Sequence, residues 1–213
     1  MTKVSISILD CDFENIDSEI KKINDNNIDL IHIDIMDGKF VKNKTENLFD
    51  LNKISSLTNL RFDIHMMVEE PLEKLDNFIN YKPEIITIHY EKNSNLISCI
   101  RKIKNSNINA GVAINPDTDI SEIYHILELV DLVLIMSVHP GKGGQKFIDE
   151  TIDKVKDINT KKGQNNFIIS VDGGVNDTNS KDLIKNGTDL LVSGSYLVKS
   201  KNLNNSIKSL LIH

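Results

Sequence analysis

The stretch LIHIDIMDG, residues 30–38, decides the fold and raises the question of function. Its length and its isoleucines at alternate positions predict a short buried strand, with His32 and Asp34 on the face opposite to the isoleucines. An ionised carboxylate is costly to bury unless it is paired or bound to a cation. The strand therefore predicts a buried partner for its polar face.

Further runs of apolar and β-branched residues have the same strand character. They are VSISIL (4–9), FDIHMMV (62–68), IITIHY (85–90), AGVAI (110–114), LVLIMSV (132–138), FIISVD (167–172) and LLVSGS (190–195). Successive runs begin roughly 20 to 35 residues apart, which is the size of a βα unit. Apolar residues with helical spacing lie between the runs, in the segments 72–79, 96–103 and 123–130. Eight such units predict a parallel sheet closed into a single (β/α)8 barrel, the TIM barrel, over residues 1–213.

The parity of the polar residues favours the barrel over its competitor, a doubly wound sheet. In the run 62–68, Ile64 and Met66 alternate with Asp63 and His65. A barrel packs its apolar parity against the outer helices and points the mixed parity inward, so that the last inward residues converge at the C-terminal mouth. Active sites of this fold lie at that mouth.

Polar residues fall late in three of the predicted strands and share the inward parity: His32, Asp34, His65 and Asp172. Chance pairing would rarely satisfy four buried polar groups, whereas one divalent cation satisfies them together. Two imidazoles and two carboxylates suit Zn, Fe, Mn or Co, so one such ion per subunit is predicted. The same parity carries three methionines that either fill the core or keep water from the site: Met36, Met67 and Met136.

Glycine-rich turns follow the last three predicted strands. HPGKGGQKF (139–147) permits a loop that hinges or brings backbone close to a ligand. DGGVND (172–177) and GSY (194–196) lie where barrels commonly place a phosphate site. We expect Asn176 or Asp177 to cap the helix after the seventh strand, whose N-terminal dipole favours an anion.

The composition bounds the partners. The chain has 213 residues and a formal net charge of −6, which argues against nucleic acid and anionic membranes as partners. Backbone N–H groups still permit an anionic substrate. Cys11 and Cys99 show no pairing signature, the N-terminus lacks the apolar core of a signal peptide, and no apolar run approaches a membrane span. A cytoplasmic protein is therefore expected.

These motifs together resemble the ribulose-phosphate 3-epimerase family. The matching segments are SISILDCDF, HIDIMDGKFV, FDIHMMVEEP, GVAINPDT, LVLIMSVHPGKGGQKFI, ISVDGGVN and LLVSGSYL, in family order. Related decarboxylases and hexulose-phosphate synthases carry a DxKxxD-type motif, whereas the second strand here reads DIMDG without a lysine.

The resemblance implies a single catalytic domain that interconverts D-ribulose 5-phosphate and D-xylulose 5-phosphate by metal-dependent proton transfer at C3, through an enediolate. It implies that Asp34 and Asp172 form the acid/base pair and that the four predicted ligands hold the metal. It also places a set of residues around this phosphosugar: Ser7, His65, Gly141, Lys142, Gly143, Gly144, Asp172, Gly173, Gly174, Gly194 and Ser195. Family members form dimers or hexamers, so a homo-oligomer is expected.

Two alternatives stay open. One is D-allulose 6-phosphate 3-epimerase, a six-carbon enzyme of the same family, and the other is a non-catalytic phosphosugar-binding barrel. VDGG and SGS favour the five-carbon substrate, and the intact acid pair argues against a protein that only binds. Several positions depart from the family pattern without removing a proposed metal ligand or acid: Ile6, Asp10, Cys11, Lys42, His139 and Lys142.

Overall fold

The computed structural model describes residues 1–45, 48–163 and 165–211. Eight strands pair in chain order, all in parallel, and the first also pairs with the last, which closes the sheet. They are β1 (Lys3–Ser7), β2 (Leu30–Met36), β3 (Arg61–Met67), β4 (Ile85–His89), β5 (Asn109–Ile114), β6 (Leu132–Met136), β7 (Ile168–Asp172) and β8 (Leu190–Ser193). The predicted (β/α)8 barrel is confirmed, and the doubly wound sheet is excluded because that sheet stays open.

The predicted strand ends differ from the observed ones mainly at the C-terminal side. Leu9, Val138 and Ser195 belong to the predicted runs, but each lies two residues beyond the end of its strand. Leu9 and Val138 lie in loops at the mouth of the barrel, and Ser195 begins the short helix that follows the last strand. Residue type does not show where a strand ends, because apolar residues beyond the strand, such as Leu9 and Val138, also line the cavity at the mouth.

Helices surround the barrel: α1 (Ile16–Asn24), α2 (Leu51–Leu57), α3 (Pro71–Lys74), α4 (Asp76–Ile79), α5 (Leu96–Asn105), α6 (Thr151–Lys162), α7 (Ser180–Lys185), α8 (Ser195–Val198) and α9 (Leu203–Leu211). The described chain also contains 3₁₀ helices at Phe13–Asn15 and Ile120–Leu129. The predicted helical segment 72–79 is divided between α3 and α4. Across the ranges that the structure describes, no helix has the length and apolar character needed to cross a membrane.

Of the predicted helical segment 123–130, residues 123–129 belong to the second 3₁₀ helix and not to an α-helix, and Val130 follows its end. Ile120, Ile123 and Ile126 are buried and recur at every third position. This period fits the roughly 3.0 residues per turn of a 3₁₀ helix, so the same apolar stripe packs against the barrel in the tighter form.

The barrel has an apolar outer layer and a mixed interior, as the parity predicts. Outward side chains such as Ile31, Ile33 and Ile64 pack with the helices in the main hydrophobic core. A second apolar cluster lies on the inward parity: Leu30, Ile85, Ala113, Leu132, Leu134, Met136, Val138 and Leu190. Buried polar residues share that interior: Ser5, Ser7, His32, Asp34, Asp63, His65, Thr87, His89 and Ser170.

Asp37, the last acid of the opening stretch, has a structural role at the end of β2. Its Oδ1 accepts hydrogen bonds from the backbone N–H groups of Lys39 (2.9 Å) and Phe40 (3.0 Å), and its Oδ2 accepts one from Glu69 (2.9 Å). Burial raises the pKa of Asp37, but these hydrogen bonds and Lys74 outweigh burial and hold the pKa below its ordinary value. Asp37 thus ties the loop after β2 to the loop after β3.

We expect Asp37→Asn to lower the free energy of unfolding by about 1–3 kcal/mol, because an amide cannot accept on both sides and leaves a buried N–H facing another donor. Urea unfolding measures the loss, and Asp153→Asn, in an exposed pair with Lys156, should cost less than about 0.5 kcal/mol. Because the native pKa of Asp37 is depressed, its stabilisation is present above the unfolded pKa and is lost as the pH falls through the native pKa. Equal losses in the two variants would contradict this role.

Candidate active site

The four predicted ligand residues meet at the mouth of the barrel. His32 and Asp34 come from β2, His65 from β3 and Asp172 from the end of β7, and each offers a ligand atom within 4.8 Å of the others. Asp34 Oδ1 lies 3.4 Å from His32 Nε2 and 3.3 Å from His65 Nδ1. Asp172 Oδ2 lies 3.8 Å and 3.7 Å from the same two nitrogens. The barrel therefore gathers residues that are up to 140 positions apart in the chain.

The donor atoms fit a divalent cation. His32 Nδ1 lies 2.7 Å from Asp63 Oδ2, which also accepts a hydrogen bond from Ser5 Oγ at 3.0 Å. Because a carboxylate only accepts, His32 carries its proton on Nδ1 and turns Nε2 toward Asp34 and Asp172. Within the described residues, His32 Nε2 is buried and has no hydrogen-bond partner. An orphaned imidazole nitrogen beside two carboxylates is the donor set that Zn, Fe, Mn or Co accepts.

The charges around His32 point to the same conclusion. Full burial lowers the pKa of His32, but Asp63 and Asp34 outweigh burial and raise it well above its ordinary value. The position of Nε2 thus attracts positive charge. A cation bound there would take the place of a proton, as metal binding to histidine generally does.

The two carboxyl groups at the mouth prefer opposite protonation states. Burial raises the pKa of Asp34, but the adjacent imidazoles of His32 and His65 outweigh burial and hold it far below its ordinary value. Ser7 Oγ donates a hydrogen bond of 2.8 Å to the other oxygen of Asp34. Burial raises the pKa of Asp172 to about 7, and the negative charge of Asp34 adds to that effect while His32 opposes it. Such a divided pair is suited to general acid–base chemistry.

A cavity of about 430 Å³ opens above this cluster. Asp34 and Asp172 reach its wall, and the three predicted inward methionines, Met36, Met67 and Met136, also line it. The cavity contacts the remaining predicted substrate residues except one: Ser7, Gly141, Lys142, Gly143, Gly144, Gly173, Gly174, Gly194 and Ser195. The exception is His65, which is fully buried behind the carboxylates and does not line the cavity.

The glycine loop after β6 packs closely on its neighbours. A Cβ on Gly143 would lie 2.6 Å from a carboxylate oxygen of Asp10, a residue that also lines the cavity. Gln145 Nε2 donates to the carbonyl oxygens of His139 (2.7 Å) and Lys142 (2.9 Å), which folds the loop on itself. The exposed Lys142 side chain borders the cavity from this loop.

Gly173 and Gly174 make a tight turn at the end of β7. Their φ angles are +118° and +63°, and a Cβ on Gly174 would lie 2.8 Å from the backbone nitrogen of Phe147. The expectation that Asn176 or Asp177 caps the next helix is wrong, since α7 begins at Ser180 and Asn179 occupies the cap position without a side-chain cap bond. Asn176 Oδ1 instead accepts from the Thr178 backbone N–H at 2.8 Å, because an asparagine side chain readily closes such a turn.

We expect Gly174→Ala to destabilise the fold, because the added methyl group collides with backbone that cannot move independently. The free energy of unfolding should fall by about 1–3 kcal/mol. Thermal unfolding measures the loss. Gly144→Ala, whose added Cβ would meet nothing within 4 Å, is the matched control for space, since Gly144 also has a positive φ of +69°. Equal effects at the two glycines would contradict the steric argument.

Three buried or half-buried residues behind the cluster were not predicted as site residues: Asp63, His89 and Glu91. Asp63 has the inward parity of β3, so parity alone could have indicated it. His89 Nε2 lies 2.9 Å from His65 Nε2, and His89 Nδ1 lies 3.0 Å from Glu91 Oε2. Burial lowers the pKa of His89 to about 4, although Glu91 opposes this effect.

Comparison with known proteins gives one family over most of the chain. The model of the ribulose-phosphate 3 epimerase family matches residues 3–198. The ribulose-phosphate 3-epimerase of Bacillus subtilis is 40% identical over 198 residues, which cover 92% of this chain and 91% of that protein. The Helicobacter pylori (strain 26695) protein of the same name is 39% identical, over 98% of this chain and 96% of its own length.

Solved structures share the fold at low sequence identity. A 3-hexulose-6-phosphate synthase superposes with a TM-score of 0.70 at 14% identity and covers 98% of both chains. The tryptophan synthase α-subunit of Pyrococcus furiosus superposes with a TM-score of 0.70 at 15% identity, over 99% of this chain and 97% of its own. At these identities the likeness shows the barrel alone.

Proposed function

We propose that this chain, which belongs to the ribulose-phosphate 3-epimerase family, interconverts D-ribulose 5-phosphate and D-xylulose 5-phosphate by moving a proton at C3. Family membership makes it an epimerase, an isomerase that acts on a carbohydrate. One observation carries the specific proposal: two carboxyl groups of opposite protonation preference, Asp34 and Asp172, share the wall of one cavity. The pentulose phosphates follow from the names of the relatives.

Inversion at C3 removes a proton from one face of the substrate and delivers a proton to the opposite face. Asp34 projects from β2 and Asp172 from β7, so a carbon held between them presents one face to each carboxyl group. Asp34 takes the proton from one epimer as a carboxylate, and Asp172 delivers a proton from its protonated form. The reverse reaction exchanges the two roles. The adjacent C2 carbonyl spreads the negative charge as an enediolate.

The surrounding residues support that proton transfer. A divalent ion held by His32, Asp34, His65 and Asp172 would supply positive charge for the developing oxyanion. Ser7 fixes the Asp34 carboxylate by donating to Oδ2. The three methionines of the cavity present apolar surface, which keeps water away from the carbanion.

A remote phosphate anchor positions the reacting carbon. Gly173, Gly174, Gly194 and Ser195 line the cavity at the loops where barrels commonly bind phosphate, and their backbone N–H groups would serve as the anchor. The loop Gly141–Gly144 with Lys142 borders the same cavity and can close over the substrate. Holding the phosphate at a fixed distance from Asp34 and Asp172 converts binding energy into orientation of C3.

Proton NMR in heavy water tests the proposal. Loss of the C3 proton signal of D-ribulose 5-phosphate, together with appearance of D-xylulose 5-phosphate, is the expected result. Faster exchange of the C3 proton of D-allulose 6-phosphate would instead identify this six-carbon sugar phosphate as the substrate. Absence of exchange with both ketose phosphates, in protein loaded in turn with Fe, Mn, Co and Zn, would leave a barrel that only binds phosphosugars.

Three inferences from the sequence remain predictions: one catalytic domain over residues 1–213, a homo-oligomer and a cytoplasmic location. The absence of nucleic-acid and membrane partners is likewise an expectation from the charge balance. Light scattering after gel filtration measures the oligomer. Elemental analysis of anaerobically purified protein identifies the ion among Zn, Fe, Mn and Co.

A further inference from the structure

A chain of hydrogen bonds runs away from the cluster through the back of His65. His65 turns Nδ1 toward Asp34 and Asp172, and its Nε2 lies 2.9 Å from His89 Nε2. His89 Nδ1 lies 3.0 Å from Glu91 Oε2. Both imidazoles are buried, with exposed fractions of 0% and 3%. The chain thus links β3 to β4 and to the loop that follows β4.

Glu91 is itself held at the far end of this chain. Its Oε1 accepts a hydrogen bond of 2.8 Å from the Asn115 backbone N–H and another from Thr118 Oγ1. Burial raises the pKa of Glu91, but the hydrogen bonds from His89, Thr118 and Asn115 outweigh burial and lower it. Glu91 is therefore an ionised carboxylate, which only accepts hydrogen bonds.

The Glu91 carboxylate determines which nitrogen of His89 and of His65 carries the proton. Because Glu91 only accepts, His89 carries a proton on Nδ1 and, as a neutral buried imidazole, has a lone pair on Nε2. The contact between the two Nε2 atoms then requires the proton to be on His65. His65 is thereby left with a lone pair on Nδ1, the atom that faces Asp34 and Asp172.

We propose that Glu91 and His89 are positioning residues that fix the tautomer of His65, so that Nδ1 is always available to a divalent cation. This inference rests on the metal site of the proposed function and adds two residues that lie behind His65 and do not line the cavity. Groups that orient metal-ligating histidines in this way commonly change metal affinity by about 10- to 100-fold when they are altered.

The tautomer of His32, the other imidazole of the cluster, is also fixed by a carboxylate, but through a direct hydrogen bond. Asp63 accepts directly from His32 Nδ1 at 2.7 Å and leaves Nε2 for the cluster. In both cases a carboxylate outside the cluster determines which nitrogen faces inward. His65 needs an intermediary because Glu91 lies in the loop after β4, and His89, the last residue of β4, lies between the two side chains.

Glu91→Gln should reverse the direction of the hydrogen bonds from residue 91 through His89 to His65 while keeping a side chain of nearly the same shape. The glutamine oxygen is required by the Asn115 N–H, so its NH₂ group faces His89 Nδ1. A donor at that position moves the His89 proton to Nε2. His65 must then accept at Nε2 and carry its proton on Nδ1, where it opposes a cation.

The experiment follows the tautomer and the affinity separately. Long-range proton–nitrogen NMR spectra of the chelator-treated protein should show His65 protonated on Nε2 in the native sequence and on Nδ1 in Glu91→Gln. The dissociation constant for Co²⁺, measured by competition with a chelator, should rise about 10- to 100-fold in Glu91→Gln and in His89→Phe. His89→Gln restores an acceptor for His65 Nε2 and should recover most of the affinity.

Exposed residues of the same types supply the controls, Glu122→Gln and His125→Phe, and both should bind Co²⁺ as the native chain does. An unchanged His65 tautomer in Glu91→Gln, or equal Co²⁺ affinity in His89→Phe and His89→Gln, would overturn the inference. If Glu91→Gln fails to fold, the His89 pair decides the question alone. Failure of the native chain to bind Co²⁺ at all would instead count against the metal site of the proposed function.

Discussion

Asp34→Asn and Asp172→Asn should each lower kcat for epimerisation by about 100- to 10,000-fold, the range that positioned general acids and bases contribute. The amide keeps the shape of the carboxyl group but neither accepts nor delivers a proton at C3. The circular dichroism spectrum should stay native, because both side chains lie at the mouth and not in the main apolar core. A coupled steady-state assay measures the loss.

Isotope exchange distinguishes loss of one acid from loss of the whole site. Since Asp34 and Asp172 serve opposite faces of C3, each variant should retain exchange of the C3 proton with one epimer and lose it with the other. Metal content of each variant, measured alongside, shows whether the ion is still bound. Asp153→Asn, at an exposed pair, serves as the control with native kcat. Substantial epimerisation in either cavity variant would contradict the assigned roles.

Removing the metal with a chelator should abolish epimerisation and lower the unfolding temperature, and adding back Co²⁺, Mn²⁺, Fe²⁺ or Zn²⁺ should restore both. The stability effect arises because an ion that binds only the folded chain adds about 2.7 kcal/mol at a free concentration of 100 times its dissociation constant. Scanning calorimetry before and after chelation measures the shift.

Chelator treatment of His32→Phe tests whether the stability change arises at the four-ligand site. Phenylalanine removes the Nε2 ligand and also the Nδ1 hydrogen bond to Asp63, so the variant is compared only with itself, with and without the chelator. Its unfolding temperature should be the same with and without the chelator. A native chain that keeps full activity after chelation, with no metal detected, would contradict the metal-dependent chemistry.

Much of the fold was predictable because parity in parallel strands carries three-dimensional information. The alternation of Ile31, Ile33 and Ile35 with His32 and Asp34 identifies the outer and inner faces of β2 before any coordinates exist. Closure of the barrel then brings the inward ends of distant strands together. The cluster of four ligands follows from these two facts alone.

Other features depend on contacts that one-dimensional spacing does not contain. Helical spacing cannot separate the 3₁₀ helix Ile120–Leu129 from an α-helix, since both bury residues three apart. The participation of Glu91 depends on the Asn115 N–H after β5 and on the lateral position of His89. Parity predicts that His65 points into the barrel, but it does not predict that His65 lies behind the carboxylates and away from the cavity wall.

Titration of the metal-free chain with Co²⁺, followed by visible absorption, tests the shared metal centre most directly. We expect one equivalent to bind with high affinity and with the spectrum of a mixed nitrogen and oxygen environment, and we expect His32→Phe and His65→Phe each to lose that band. High-affinity binding of one Co²⁺ that persists in both variants, or no such binding by the native chain, would show that β2, β3 and β7 do not hold a common ion.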